Sequence, residues 1–546
     1  MNENNAVNPG FNTNHTPDKK LEKFELVKGD YMFSIFAFVI SVITSILGIW
    51  GGFRIGWTIS VISIIVILTA YFISGRSKVK LFPLCCALFA VAVSLSFTLT
   101  TNGMVRFFSF IFAAILSLIW FMSLIAEQKE EDDLDLIINI FSPIFELVIP
   151  CIPNSVVSLF SGNGEKNKKL GKALIGCLIS VPFLFVIIPL LIASDEAFSG
   201  MVGLFFGNIV STLFKIIVGA VISLLIISYG FSFKKRALPE RKKCNFAGVE
   251  GITVGVFLSV ISLCYLSYLF SQLAYFFSAF SGFLPENYKF SVSAYARRGF
   301  FEMSVIAALN LLIIFIVLIL TKKRDGKIGA GIKALCTFIA VFTLLIISTA
   351  LSKMALYIKS LGMTELRVGT SGFMIALGVI FISLIVRIYI PKIRVIRTAL
   401  ISFAVVLTLF GCFNINSVIG EYNYNAYKNG WTETIDTRAL YYLGPEGIPY
   451  LIKLSEDKDK EVSFEAEKML YNALLYGNYE YKIVENVKGP KLEKNENRIN
   501  GLGSYCYPLM RAEKMLNEFI ENNGNFLSKQ WKHRYSDDSS VYYTIY

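Results

Sequence analysis

Histidine is nearly missing from this chain: of 546 residues only His15 and His533 are histidine, and both stand outside its long apolar runs. That excludes a His-ligated metal centre within a membrane, and with it non-haem iron and His-ligated haem oxygenase chemistry. Cysteine occurs nine times but never as a CxxC pair, and only Cys506 falls in the hydrophilic C-terminal part, so no disulfide framework is expected there. There is no Walker-type glycine-rich loop, no dinucleotide fingerprint and no His-based nucleophile pair. ATP-driven transport by this chain alone is thus not expected, and neither a cofactor nor a metal is. No basic face with interleaved aromatics marks a nucleic-acid surface.

What is abundant is hydrocarbon. Hydrophobic residues make up 54% of the chain, 47 of them phenylalanine. The mean hydropathy is +0.58. A helix crossing about 30 Å of hydrocarbon needs about 20 apolar residues. Eleven runs reach that length: 31–50, 55–74, 81–100, 107–126, 173–193, 209–231, 252–275, 301–321, 332–352, 372–390 and 398–417. Residues 1–30 are polar and read as a disordered cytoplasmic tail without a cleavable leader.

The loops give the orientation. From Val418 onward 16 Lys/Arg stand against 19 Asp/Glu, which leaves +15 for residues 1–417, nearly all of it in short connections. With the N-terminus inside, 27 Lys/Arg fall on inner connections and eight on outer ones, and the alternation never breaks. The positive-inside bias therefore predicts an all-α integral membrane protein of about eleven spans over 31–417, N-in and C-out. Two further apolar stretches are not read as spans. Residues 134–160 carry Pro143, Pro150, Pro153 and Glu146 and read as an interfacial segment on the inner leaflet. Residues 276–293, with Gly282, Pro285 and Glu286, read as a re-entrant or surface loop.

Residues 418–546 have soluble composition and predict a small, mainly helical extracytoplasmic domain. Asp436 is a candidate cap, Gly444-Pro-Glu-Gly447 a turn, and 461–476 and 508–522 have helical periodicity. The Lys/Asn/Gly-rich piece near 487–503 reads as a loop.

Polar residues gather at the predicted outer ends. Tyr295, Arg297 and Arg298 open the eighth span, with Glu302 four residues after Arg298 on the same helical face. Two guanidinium groups beside free backbone N–H groups suit an anion; structural ion pairing by outer carboxylates is the plainer alternative. Asp195 and Glu196 follow the fifth span, either as first-turn residues of a new helix or as partners of those arginines. Glu365 and Arg367 precede the outer start of the tenth span, Asn414 stands at the outer end of the eleventh, and Glu421 follows it. Asn310 is the clearest polar group at the membrane midplane, where an interhelical hydrogen bond is its expected role.

Four stretches carry a resemblance: Ala193–Phe198, Tyr295–Glu302, Leu361–Arg367, and Asn414–Asn423 with Ile435–Gly444. Together, over about 170–455, they resemble the bacterial membrane families known as domains of unknown function 4173 and 4153. The resemblance implies a multi-pass fold and a bacterial plasma membrane, and it implies no catalytic residues. The reading that follows is a polytopic protein binding an anionic lipid or envelope group at an outer-face site, with the bilayer as its other partner. Two alternatives stand beside it. One is an envelope transferase or hydrolase with a carboxylate base, for which no convincing nucleophile is present. The other is a transporter or a signalling and assembly component, although the midplane carboxylates and broken helices of a coupled carrier are not evident.

Overall fold

The computed structural model describes residues 24–73, 80–125, 144–160, 207–235, 248–280, 300–322, 328–486, 489–495, 504–523 and 525–537, with isolated positions between 136 and 195. Among them, ten helices are long and apolar enough to cross a membrane, and the protein is a multi-pass α-helical membrane protein. The remaining run, 173–193, lies almost wholly outside the described residues. The chain forms two compact bodies, residues 1–42 with 142–239, and residues 43–141 with 240–546.

In the first body α1 (Lys28–Ile43) and α7 (Gly207–Lys235) touch backbone to backbone. A Cβ on Gly219 would lie 2.7 Å from the Val42 Cα, so only a residue without a side chain permits this approach. Part of the stretch expected at the inner leaflet forms a π-helical turn (Ile144–Val148) and then α6 (Ile149–Phe160), with Pro153 inside the helix. The Ser228 hydroxyl donates to the Val148 carbonyl at 2.7 Å, which ties that turn to α7.

The second body holds α2 (Ile55–Phe72), α3 (Leu81–Ser94), the single turn α4 (Ser96–Leu99) and α5 (Gly103–Ile125). It continues with α8 (Gly251–Phe280), α9 (Phe300–Leu320), α10 (Ala330–Leu361), α11 (Glu365–Tyr389) and α12 (Val395–Cys412). Hydropathy marks the lipid-embedded part of a helix and not its end, because the backbone ladder continues into water. Hence α10 runs nine residues past the apolar run, through Lys353 and Lys359, and α8 continues into the stretch expected to be a loop. The third run is interrupted: Leu95 N–H turns back to the Ala92 carbonyl at 3.2 Å and splits α3 from α4.

α8, α9, α10 and α11 share one apolar core with few polar members. Asn310 of α9 is completely buried and accepts from the Tyr265 hydroxyl at 2.5 Å. Its amide donates to the Thr343 hydroxyl at 2.9 Å, so the expected interhelical bond joins α8, α9 and α10. The Tyr265 ring stacks on Phe342 at 4.2 Å between centroids. Asn310→Leu leaves two hydroxyls without this partner and is expected to lower stability in detergent by about 1–2 kcal/mol, read as an earlier denaturation midpoint.

The C-terminal residues form a module with its own core. It comprises α13 (Ile415–Lys428), α14 (Thr437–Tyr442), α15 (Ile448–Ser455), α16 (Lys460–Tyr476), α17 (Tyr507–Asn522) and α18 (Phe526–Asp537). Asp436 caps α14 by accepting from Ala439 N–H at 3.0 Å, as its position predicts. The stretch read as a loop near 487–503 differs: β1 (Tyr481–Asn486) and β2 (Gly489–Lys494) pair antiparallel. Ile483 supplies the buried side chain of that ribbon, while Lys491 and Lys494 of β2 occupy exposed positions and, with the half-buried Glu493, disguise the strand in composition.

Candidate functional site

Four turns of the membrane helices meet the module at one end of the second body. Between α3 and α5 the chain runs extended at Thr100, and Asn102 caps α5 by accepting from Val105 N–H at 2.8 Å. The Asn102 amide also donates to Asn416 Oδ1 at 2.8 Å, and the Asn416 amide reaches the Leu443 carbonyl at 3.4 Å. Before α2, Arg54 donates to the Ser504 carbonyl at 2.8 Å and Ile55 N–H to the Tyr505 carbonyl at 3.2 Å. Between α10 and α11, Asn423 brackets Met363, accepting from its N–H at 2.7 Å and donating to its carbonyl at 2.9 Å. The fourth turn is the corner at Phe413–Asn414 that joins α12 to α13.

The centre of this junction is a carboxylate. Glu446 sits in a 3₁₀ turn (Gly444–Glu446) entered through Gly444 at φ +68, a value that favours glycine. Its side chain reaches across to the membrane turn and is only 3% exposed. There it accepts from Thr101 N–H at 2.7 Å, from the Thr101 hydroxyl, and from the Thr100 hydroxyl at 3.5 Å. Burial raises its carboxyl above the usual carboxylate range, against the bonds from Thr101 and the charge of Arg106, which favour the ionised form.

Beside this latch lies a cleft of about 450 Å³ between the membrane turns and the module. Arg54, Thr101 and Arg106 line one side, and Tyr441, Tyr442 and Tyr479 the other. Arg106 donates through Nη2 to the Phe97 carbonyl at 3.1 Å and to Cys506 Sγ at 3.2 Å, while its buried Nε has no hydrogen-bond partner among the described residues. Burial pushes the Cys506 thiol up, which keeps it protonated and a poor nucleophile. Burial likewise raises the phenols of Tyr441 and Tyr479, so they face the cleft as neutral donors. Two guanidinium groups and neutral hydroxyls suit an anion.

The residues singled out in sequence are distributed as follows. Tyr295, Arg297, Arg298 and Glu196 lie outside the described residues. Asp195 is exposed, and Glu302 is exposed in the first turn of α9. Arg367 closes the end of α10: it donates to the Leu361 carbonyl at 3.0 Å and to that of Gly362, and its guanidinium lies 4.0 Å from the Tyr357 ring centre. Glu365 opens α11, where Thr364 is the cap. Asn414 forms the left-handed corner between α12 and α13, and Glu421 lies within electrostatic reach of Tyr450. Arg367, Asn414 and Glu421 thus belong to the end that carries the module. Arg54, Arg106 and Glu446 were not singled out as site residues from sequence; the signal present there is that Arg54 and Arg106 are the sole cations in the first two connections expected to face outward.

Residues 85–454 match the family described as Domain of unknown function (DUF4153). Comparison with curated proteins and with solved structures yields no match. Of the two families that the sequence resembles, it is thus the second whose match is found. The matched region includes the Thr100–Asn102 turn, α8 to α12 and the turn bearing Glu446, and on this extent the chain belongs to the DUF4153 family.

Proposed function

We propose that this membrane protein binds an anionic group, a lipid phosphate or an envelope polymer phosphate or carboxylate, in the Arg54–Arg106 cleft. The observation that carries the reading is the convergence of two guanidinium groups and neutral tyrosines on a cleft roofed by the C-terminal module. By the charge bias of the loops this end faces outward in a bacterial plasma membrane. The same bias assigns Arg297 and Arg298 to that face, where with Glu302 they would extend the anionic site.

The test uses the full chain in nanodiscs of phosphatidylcholine doped with phosphatidylglycerol, with retained lipid counted by native mass spectrometry. Arg54→Gln with Arg106→Gln is expected to lower retention of the anionic lipid about tenfold, the loss of about 1.4 kcal/mol. Both arginines also hold module backbone or sulfur, so protease resistance of the module is measured in parallel. Unchanged retention with an intact module overturns the reading, and loss of retention in parallel with loss of the module assigns the arginines to docking alone.

A further inference from the structure

A second cavity, of about 380 Å³, lies between α5, α11 and α12, near the module but on the membrane-helix side of it. Its origin is a packing mismatch. α12 is drawn tightly against α11 at Gly372, where a Cβ would stand 2.4 Å from the Phe410 ring. It is drawn equally against α4 at Gly411, where a Cβ would stand 2.6 Å from that of Ser96. With α12 held on both sides, α5 and α11 are left with a gap between them. Phe403 forms a floor with Phe112 and Phe373, at centroid separations of 6.1 and 5.8 Å.

Three observations identify what fills it. The lining is almost wholly apolar, and the volume falls in the range of about 300–1,000 Å³ typical of small-molecule sites. The side chains at its edge, Met104, Phe108, Leu366 and Phe373, are 40–66% exposed on helices that cross the membrane, so the cavity opens to hydrocarbon. An empty cavity there forfeits dispersion contacts that a hydrocarbon chain restores. Finally, the polar lining is confined to a few residues, and most of it is committed. Asn102 is bound to Asn416 and Val105, and the Thr370 hydroxyl donates to the Leu366 carbonyl at 2.7 Å. The exception is Glu365, half-buried in the first turn of α11, with no hydrogen bond or ion pair among the described residues. A carboxylate at the mouth of an apolar slot, at the level where a helix leaves the bilayer, complements a cation.

We propose that this cavity takes one hydrocarbon chain of an amine-headed phospholipid, with the lipid ammonium on Glu365. The site is separate from the arginine cleft and does not rest on it.

Gly369 makes the test clean. It lines the cavity, and a Cβ there would meet only the Met104 sulfur, at 3.6 Å, so a larger side chain grows into the empty space. The full-length protein is reconstituted in phosphatidylcholine nanodiscs doped with phosphatidylethanolamine or phosphatidylglycerol, each bearing a photoactivatable acyl chain. Cross-links are mapped to peptides of α5, α11 and α12. The wild type is expected to label several-fold more with the ethanolamine lipid than with the glycerol lipid. Gly369→Phe is expected to cut labelling about tenfold without lowering the melting temperature, and Gly369→Leu to act in the same direction should the larger ring disturb folding. Glu365→Gln is expected to keep labelling but erase the head-group preference. Labelling of Gly369→Phe and Gly369→Leu at the wild-type level overturns the chain site and reduces the contact to ordinary bilayer solvation. Equal labelling by the two lipids in the wild type overturns the ammonium assignment.

Discussion

Glu446→Ala is expected to free the C-terminal module from the membrane turn. The substitution strips the acceptor from Thr101 N–H and from the Thr100 and Thr101 hydroxyls, in a place where the lost side chain is 3% exposed. A buried donor left without an acceptor costs about 1–3 kcal/mol, so a loss of about 3 kcal/mol in docking stability is the expected size. Limited proteolysis reads it directly, as faster cleavage within 413–546 while the membrane helices stay intact. Glu446→Gln keeps an acceptor oxygen and is expected to lose less than half as much.

The same carboxyl makes docking respond to pH. Its folded value is raised by burial above that of the unfolded chain. Such a group contributes stability that is fully present below the ordinary carboxylate value of about 4.3 and is lost as pH rises through the raised one. The wild-type module is therefore expected to gain resistance on acidification, relative to Glu446→Gln, across that window. A difference between the two proteins that does not change with pH would refute the assignment.

The second large effect is expected at Gly56. An added Cβ would lie 1.8 Å from the Leu47 carbonyl oxygen and 2.2 Å from its carbon, and neither backbone atom can give way as a side chain can. The start of α2 abuts the π-helical turn Thr44–Ile49, and the connection between them is tight enough to hold Phe53 at φ +54. Gly56→Ala must push these elements apart, at an expected cost of about 3 kcal/mol or more. Because Arg54 belongs to this connection, its bond to the Ser504 carbonyl is expected to break as well. A lower thermal midpoint with faster cleavage near 496–504 is the expected signature; a midpoint within a degree of wild type would show that the turn relaxes freely.

The sequence shows where lipid is, and much less of what the polar residues do. Apolar runs long enough to span are read from length alone, and ten of them reappear as helices because no soluble element needs such lengths of hydrocarbon. Asn310 is legible for the same reason, since a lone amide in a greasy helix must find a partner. Glu446 is not. It sits in a Gly-Pro-Glu-Gly turn of ordinary soluble composition, and its partner Thr101 stands 345 positions earlier. Arg367 misleads in the opposite way: beside Glu365 it resembles half of a charged site, yet its guanidinium serves the carbonyls that end α10. Local pattern carries helix, cap and turn; it does not carry which distant segment a loop will meet.

The corner at Phe413–Asn414 has a mechanical consequence. Two residues, one of them held at φ +48, join a membrane span to the module, and there is no slack chain to absorb movement. A pull on the module is therefore passed to α12 as torque and is not taken up by the connection.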